Sequence, residues 1–165
     1  MTEMTAKQRM AIPRQPMPEQ EAQERRANFF EVAQGLAAEM AQQEAERCLQ
    51  CKKPPCVAGC PVEVDQPVSL GALRAGDMEE SLRVLKDNNS CLAICGSVCP
   101  QETQCEVVCV LEKKAEPVAI GRLERYVADW DLARGAETPP VSEPTGKKAA
   151  IIGAGPAGLT CAADL

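Results

Sequence analysis

The sequence predicts an all-α domain that is followed by the first β-α unit of a second domain. No segment before residue 148 alternates between apolar and polar residues as a half-buried strand does. Several stretches before that point repeat apolar residues at intervals of three and four, which is the helical spacing. After residue 147, a short apolar stretch leads into a glycine-rich turn and a second apolar stretch. The 165 residues amount to about one domain plus a margin.

The helical domain is assigned to residues 21–134, and its first half is predicted to alternate helices with irregular segments. Residues 1–20 carry three prolines among polar residues and are expected to form an extended lead-in. A helix is predicted from Glu21 to Val32, with both phenylalanines on its apolar side. A glycine then separates it from a helix over residues 36–47. Residues 49–66 are rich in proline and are expected to be irregular.

Three later helices are predicted from their start signals and apolar spacing. Pro67 suits a first helical position. Asp77 is predicted to cap a helix over residues 78–87. The last helix is predicted to run from about Pro117 to Arg134. Its expected buried stripe consists of Ile120, Leu123, Val127 and Trp130.

The C-terminal part of the chain has the pattern of a dinucleotide-binding turn. Residues 135–147 are predicted to be a proline-rich linker, and residues 148–165 the truncated start of an FAD-binding Rossmann domain. In this turn Gly153 would permit the tight bend, Gly155 would let the backbone approach a pyrophosphate, and Gly158 would allow helix–strand packing. The ribose-binding acidic residue, expected about 20 positions later, is missing. We therefore interpret the chain as a fragment of a longer flavoprotein.

The most informative feature is a pair of cysteine runs. They are Cys48-x2-Cys51-x4-Cys56-x3-Cys60-Pro61 and Cys99-Pro100-x4-Cys105-x3-Cys109. Thiolates at such short gaps converge on small inorganic clusters, and a terminal Cys-Pro is typical of two-cluster ferredoxins, in which the last cysteine binds the other cluster. The two runs therefore predict two 4Fe–4S clusters in a ferredoxin-like electron carrier.

Composition excludes several other classes of site. The chain has no histidine, which excludes mixed cysteine–histidine zinc sites and Rieske ligation and removes the commonest general base. The net charge of −6 argues against nucleic acid or an anionic membrane surface as a partner. No apolar stretch approaches the ~20 residues that span a membrane. The N-terminus lacks a signal-peptide pattern, so a cytoplasmic location is expected, where clustered cysteines are metal ligands more often than disulfides.

Crossing of ligands between the two runs predicts which cysteines bind together. The first cluster is assigned Cys48, Cys51, Cys56 and Cys109. The second cluster is assigned Cys60, Cys99, Cys105 and one further ligand. Spacing alone favours Cys95 for that ligand, because it lies four residues before Cys99. Helical spacing would also place Cys91 on the same face, although Gly96 and Pro100 oppose a helix through the whole run. Cys161 is expected to be a small core residue.

Four segments resemble the N-terminal domain of the glutamate synthase small subunit family. They are CLQCKKPPC (48–56), ICGSVCPQE (94–102), CE (105–106) and EPVAIGRLER (116–125). This domain also occurs in the large subunit of NADH-dependent ferredoxin:NADP oxidoreductase and in dihydropyrimidine dehydrogenase. The resemblance implies a helical double 4Fe–4S domain, followed by FAD- and NAD(P)H-binding Rossmann domains. The pair Cys91-Leu92 departs from the family pattern.

The resemblance also implies that the eighth ligand is Glu124 and not Cys95. Without the resemblance, Glu124 would be interpreted as a solvated helix glutamate that pairs with Arg122 or Arg125. One turn of helix separates Glu124 from Ile120, so an inward position is compatible with the spacing.

An electron relay is the function that the resemblance implies. NADPH or NADH would reduce FAD, and the clusters would pass single electrons to or from a partner such as the glutamate synthase large subunit. An alternative within the family is flavin-based electron bifurcation with ferredoxin. An alternative of another class is a zinc-stapled interaction module, although only the Cys48–Cys51 pair has good zinc-knuckle spacing. The fragment holds no evident catalytic base or nucleophile, so the organic chemistry is expected elsewhere.

Overall fold

The computed structural model describes residues 4–135 and 143–165, and within them the chain is helical. The described helices are α1 (Ala6–Ala11), α2 (Ala22–Arg25), α3 (Ala38–Glu46), α4 (Pro55–Ala58), α5 (Gln66–Ala75), α6 (Met78–Asn88), α7 (Leu92–Val98), α8 (Ile120–Ala133) and α9 (Pro156–Asp164). Two 3-10 turns, Gln101–Thr103 and Val110–Lys113, lie between α7 and α8. The described residues form no β-ladder, and their one bridge joins Glu19 to Ala33. The all-α prediction is confirmed for this part of the chain.

The core forms where α8 packs against α7, α6 and α3, and α5 packs against α6 and α3. Its largest fully buried apolar side chains are aliphatic. Of the predicted stripe on α8, three members are buried, whereas Trp130 is half-buried and covered by the Arg134 guanidinium 4.3 Å above its ring. The buried members of the stripe are Ile120, Leu123 and Val127.

Aspartate side chains cap the N-termini of α5 and α6. Asp65 accepts a hydrogen bond from the amide of Val68, and Asp77 accepts one from the amide of Glu80. The predicted cap at Asp77 is confirmed. Pro67 occupies the second position of α5 and not the first, because Gln66 already belongs to the helix. Each cap satisfies an amide that lacks a partner within its helix, which is typically worth about 1 kcal/mol.

The sequence predicted an extended lead-in over residues 1–20, but the described N-terminal residues are not extended throughout. Helix α1 forms because Thr5 and Gln8 make a reciprocal capping box, in which each side chain binds the other residue's backbone amide. Arg9 of this helix is buried and donates to the Glu46 carboxylate at 2.7 Å. The lead-in is therefore attached to the end of α3. Residues 1–3 lie outside the described part of the chain.

The helix predicted from Glu21 to Val32 is also wrong beyond its first turn. Helix α2 ends at Arg25, and the Asn28 side chain then binds the carbonyl of Glu24 and the amide of Phe30. These bonds offer the backbone a turn in place of a helix. The chain consequently doubles back, and both phenylalanines are exposed to solvent instead of forming an apolar helix face.

Gly96 does not end α7, although we expected it to oppose a helix there. A Cβ atom at Gly96 would lie 2.6 Å from the backbone nitrogen of Arg125 on α8. The glycine therefore allows α7 and α8 to approach closely, which offsets its low helix propensity. Cys91 and Cys99 flank the helix as its N-cap and C-cap, so the helix runs between them.

A buried ion pair connects the end of α3 to the start of α8. Glu44 and Arg47 are almost completely buried, and their side chains meet at 2.6 Å. The second carboxylate oxygen of Glu44 accepts from the amide of Gln15 at 2.7 Å, and its first also accepts from the amide of Ala119 at 2.8 Å. Cys48 follows Arg47 directly, so the pair also anchors the start of the first cysteine run.

The same arginine explains why α8 begins at Ile120 instead of at Pro117. The guanidinium of Arg47 donates to the carbonyl of Glu116 at 2.5 Å and to that of Pro117 at 2.9 Å. These carbonyls are therefore directed at the arginine and do not start the helical hydrogen-bond pattern.

Replacing Glu44 by alanine is expected to lower the free energy of unfolding by about 3–5 kcal/mol, because Arg47 would remain buried without its counter-charge. Anaerobic urea unfolding of the metal-loaded chain, followed by circular dichroism, would measure this change. Glu80→Ala is a matched control, because Glu80 and Arg83 form a pair with the same three-residue spacing on the surface of α6. Similar losses in the two variants would show that burial of the Glu44 pair is unimportant.

The C-terminal unit is described only in part. Helix α9 forms, but residues 148–152 make no ladder, since a strand requires a neighbouring strand for pairing. Most of the predicted linker, residues 136–142, lies outside the described residues. Within the described ranges, each helix is too short or too polar to cross a membrane.

Candidate metal centre

The four cysteines assigned to the first cluster line one pocket. They lie on different segments: Cys48 follows α3, Cys51 precedes α4, Cys56 lies within α4, and Cys109 precedes the Val110–Lys113 turn. The rest of the pocket wall is apolar apart from Gln66. Its apolar members are Leu49, Pro54, Pro55, Pro67, Leu70, Val110, Leu111, Val118 and Ile120. We call Cys48, Cys51, Cys56 and Cys109 the first thiol set.

The side chains of the first thiol set interact electrostatically. Burial raises the pKa of Cys48 and of Cys51, and the thiol of Cys109 adds to both increases. Burial, followed by the thiols of Cys48 and Cys109, raises the pKa of Cys56 to about 12. The thiols of Cys48, Cys51 and Cys56 are therefore protonated at neutral pH in the metal-free chain, and metal binding must release their protons.

Gln50 shapes the turn between the first two cysteines. Its φ is +53°, a left-handed conformation that is uncommon for residues other than glycine. Its Nε2 lies 3.4 Å from the Cys48 sulfur as a hydrogen-bond donor, and its Oε1 would be 3.2 Å from a Cβ atom at Gly71. The turn directs both thiols to the pocket. Residue identity alone gave no indication of this role, because glutamine is not a typical left-handed residue.

The remaining assigned residues form a second electrostatic group around Cys105. Burial and then the carboxylates of Glu124 and Glu106 raise the pKa of Cys105 to about 12, and Cys60 adds to the shift. Burial, followed by the neighbouring thiol of Cys95, raises the pKa of Cys99 to about 11, and Glu124 and Cys60 make smaller contributions. We call Cys60, Cys99, Cys105 and Glu124 the second ligand set. The structure therefore brings these four residues into one neighbourhood.

Glu124 is buried on α8 and is not a solvated helix glutamate. Its Oε1 accepts a hydrogen bond from Nε2 of Gln66 at 2.5 Å. Burial raises the pKa of the Glu124 carboxyl, the bond from Gln66 lowers it, and the nearby Glu106 raises it. The alternative pairing with Arg122 or Arg125 is wrong, because Arg122 binds the carbonyl of Gln15 and Arg125 binds Glu31 and Asp129.

Cys95 lies beside the second ligand set but has a partner of its own. Its thiol donates to Oδ1 of Asn89 at 3.4 Å, and it also contributes to the raised pKa of Cys99. Cys91 lies near α9, with its sulfur 3.4 Å from the Thr160 hydroxyl. Cys161 is exposed on α9, so the expectation of a core position is wrong. All ten cysteines are described, and each is a free thiol.

The arrangement of the ligands differs from that of a mononuclear metal site. In the described part of the chain, no three cysteine or carboxylate side chains are arranged to hold a single metal ion. A structural zinc site requires four ligands around one point. A four-iron cluster takes its ligands at separate iron atoms, so its cysteines surround a larger volume. Four thiols in one set, and three thiols with a carboxylate in the other, are donors of the kind that 4Fe–4S clusters take.

The three glycines of the C-terminal turn have the expected steric roles in part. Gly153 has a φ of +110°, which a residue with a side chain would rarely adopt. A Cβ atom at Gly158 would lie 2.3 Å from the carbonyl oxygen of Gly153, so the start of α9 packs closely on the turn. Gly155 is the N-cap of α9. The geometry is compatible with a phosphate-binding turn. Binding of FAD and NAD(P)H by the intact protein stays a prediction, and this fragment alone is not expected to bind either.

Comparisons with known proteins place the chain in a family. The family model described as dihydropyrimidine dehydrogenase domain II, 4Fe-4S cluster, matches residues 25–136. The glutamate synthase [NADPH] small chains of Escherichia coli and Azospirillum brasilense are 38% and 39% identical over 157 and 155 residues, which cover 94% and 92% of this chain. The NAD-dependent dihydropyrimidine dehydrogenase subunit PreT of Escherichia coli is 34% identical over 135 residues, or 82% of this chain.

The matched regions make up only 32% of each small chain and 33% of PreT. The chain thus spans between about a fifth and a third of the length of the curated relatives it matches. These matches therefore show the family of the matched domain and not the activity of a whole protein. The chain belongs to the family of dihydropyrimidine dehydrogenase domain II, the 4Fe–4S electron-transfer domain of oxidoreductases such as the glutamate synthase small chains.

Proposed function

We propose that this chain carries two 4Fe–4S clusters and relays electrons between FAD and a partner subunit in an NAD(P)H-dependent oxidoreductase. The first thiol set would hold one cluster, and the second ligand set would hold the other. The observation that supports this most strongly is the separation of the assigned residues into two groups, each with its own shared neighbourhood. Membership of a 4Fe–4S family supplies the identity of the metal group.

The two proposed sites differ in the ligands that they offer. A bound 4Fe–4S cluster takes up and releases single electrons, at a potential that depends on its ligands, hydrogen bonds and exposure. The first thiol set offers four sulfur ligands in an apolar pocket, where side chains such as Leu70 and Leu111 limit access of water. The second ligand set replaces one thiolate with the harder carboxylate of Glu124. This difference would give the two sites different reduction potentials.

The partner that we favour is a glutamate synthase large subunit. The small chains of two bacteria match over 92% or more of this chain, at higher identity than PreT. In the intact protein, NADPH or NADH would reduce FAD, and the FAD would exchange electrons with the clusters. Gly153, Gly155 and Gly158 would belong to the FAD-binding domain. We place the protein in the cytoplasm, where ten free thiols suit a reducing environment.

A dihydropyrimidine dehydrogenase-type subunit is the second candidate, because the matching family model is described by that enzyme. Electron bifurcation with ferredoxin is a further alternative. Anaerobic reduction of the full-length protein would separate these functions. Cluster bleaching with NADPH, followed by reoxidation only when a glutamate synthase large subunit is present, would support the first candidate. Reoxidation by a pyrimidine-reducing subunit instead would contradict it.

The metal content of the reconstituted chain is the most direct test of the cluster assignment. After anaerobic loading with iron and sulfide, we expect about eight irons and about eight acid-labile sulfides per chain, since each cluster holds four of each. The loaded protein should be brown. Iron analysis that plateaus at about four would contradict the two-cluster proposal. A colourless protein that binds zinc and no sulfide would support the interaction-module alternative.

A further inference from the structure

Gln66 lies between the two proposed sites. It is the first residue of α5, and its side chain is buried. Its Nε2 donates to Oε1 of Glu124 at 2.5 Å, across 58 residues of sequence. The same residue also lines the pocket of the first thiol set. One amide side chain therefore contacts a member of the second ligand set and forms part of the wall around the first.

The other end of the Gln66 amide is an orphaned acceptor. Its Oε1 is buried and has no hydrogen-bond partner among the described residues. Such an atom is costly, because it has lost its hydrogen bonds to water without replacement. A carboxylate that binds iron is ionised and only accepts hydrogen bonds, so with Glu124 as a ligand the amide directs its NH₂ group, and not its oxygen, at the carboxylate. The unpaired oxygen is the consequence of keeping the donor on Glu124.

We infer that Gln66 is a positioning residue for Glu124 as a cluster ligand, an inference that rests on the cluster assignment proposed above. By occupying one carboxylate oxygen, the amide leaves the other oxygen for iron and restricts rotation of the carboxylate. Residues that hold a metal ligand in this way commonly affect metal affinity strongly. The donated hydrogen bond also withdraws electron density from the ligand, which raises the reduction potential of the cluster that the ligand binds.

Gln66→Met tests this role, because methionine has a similar length and keeps the packing of α5 while removing the donor. We expect the affinity of the second cluster for iron to fall by about 10–100-fold, measured as faster iron loss to a chelator. We also expect its reduction potential to become more negative in an EPR-monitored titration. The first cluster should keep its iron and its EPR signal, and its potential should change less than that of the second cluster, since none of its four thiols has been changed although Gln66 lines its pocket.

Two comparisons distinguish positioning from a general effect on folding. Ser69→Ala is a matched control, because Ser69 is also buried on α5 and its hydroxyl lies 3.0 Å from that of Ser81. It should leave both potentials unchanged. In a Glu124→Ala background, adding Gln66→Met should produce little further change, because the group through which Gln66 acts has been removed.

Failure of this inference is distinguishable from failure of the cluster assignment. If the wild-type chain loads two clusters, Glu124→Ala alters one of them, and Gln66→Met leaves potential and iron loss unchanged, Gln66 has no positioning role. An equal change of both clusters in Gln66→Met, or the same change in Ser69→Ala, would also overturn the inference. If the wild-type chain loads only one cluster, or Glu124→Ala alters neither, the assignment itself has failed.

Discussion

Replacing Cys56 by alanine is expected to reduce the iron content of the loaded chain from about eight to about four per molecule. Cys56 lies in the short helix α4 and is held among Cys48, Cys51 and Cys109, so its loss removes one of four proposed ligands. The variant should also be much less stable. Structural metal binding contributes on the order of 10 kcal/mol to small metal-dependent domains, and this core has no fully buried aromatic side chain among the described residues.

Anaerobic iron analysis, EPR and thermal unfolding would measure these effects together. Cys161→Ala is the matched control, because Cys161 is exposed on α9 and belongs to neither proposed set. It should keep about eight irons and the wild-type unfolding midpoint. Full iron content in Cys56→Ala would contradict the assignment of this cysteine. Loss of all iron would show that the second cluster cannot form without the first.

The later helices could be predicted from sequence because local and tertiary preferences agree there. Asp77 caps α6 as expected, and the inward positions of Leu82 and Leu85 follow from their three-residue spacing. The apolar stripe on α8 could be predicted in the same way. The first residue of α8 could not, because the carbonyls that precede the helix accept hydrogen bonds from Arg47, a residue some 70 positions away in sequence. Long-range side-chain bonds of this kind leave no periodic pattern.

The two wrong predictions for the N-terminal residues, an extended lead-in and a helix over residues 21–32, have different physical causes. The capping box of Thr5 and Gln8 was present in the sequence, but the neighbouring prolines favoured an extended interpretation. In residues 21–32 the helical composition was real, yet the side-chain bonds of Asn28 stabilise a turn. Phe29 and Phe30 were expected on the apolar side of that helix. Exposure of large apolar residues is common enough that hydrophobicity alone could not decide the point.

The candidate site was more predictable than the fold around it. Cysteine spacing alone predicted two sets among seven thiols. The four thiols of the first set line one pocket, and Cys99 and Cys105 each interact electrostatically with Cys60. Which residues bind metal stays a prediction. Spacing alone favoured Cys95 as the eighth ligand, and only the resemblance to a known family favoured Glu124 instead. No sequence pattern pointed to Gln66, because its proposed role depends on a contact between the start of α5 and α8.

Replacing Glu124 by alanine is expected to alter one cluster and leave the other intact. The buried carboxylate is the only member of the second ligand set that is not a thiolate, and its removal opens one iron to water or to loss. We expect a changed EPR signal, with conversion of that cluster toward three irons and a loss of about one iron per chain. Gln66 would also lose its acceptor, which adds the cost of a buried unpaired donor, about 1–3 kcal/mol.

Cys95→Ala provides the opposing measurement, because Cys95 is the ligand that spacing alone favours. Its thiol already donates to Asn89 at 3.4 Å, so alanine removes one weak hydrogen bond and leaves a small cavity. Both clusters should therefore keep their iron and their EPR signals. The reverse result, in which Cys95→Ala destroys the second cluster while Glu124→Ala leaves both spectra unchanged, would identify Cys95 as the eighth ligand. Glu124 would then be a buried carboxyl group held by Gln66 for structural reasons alone.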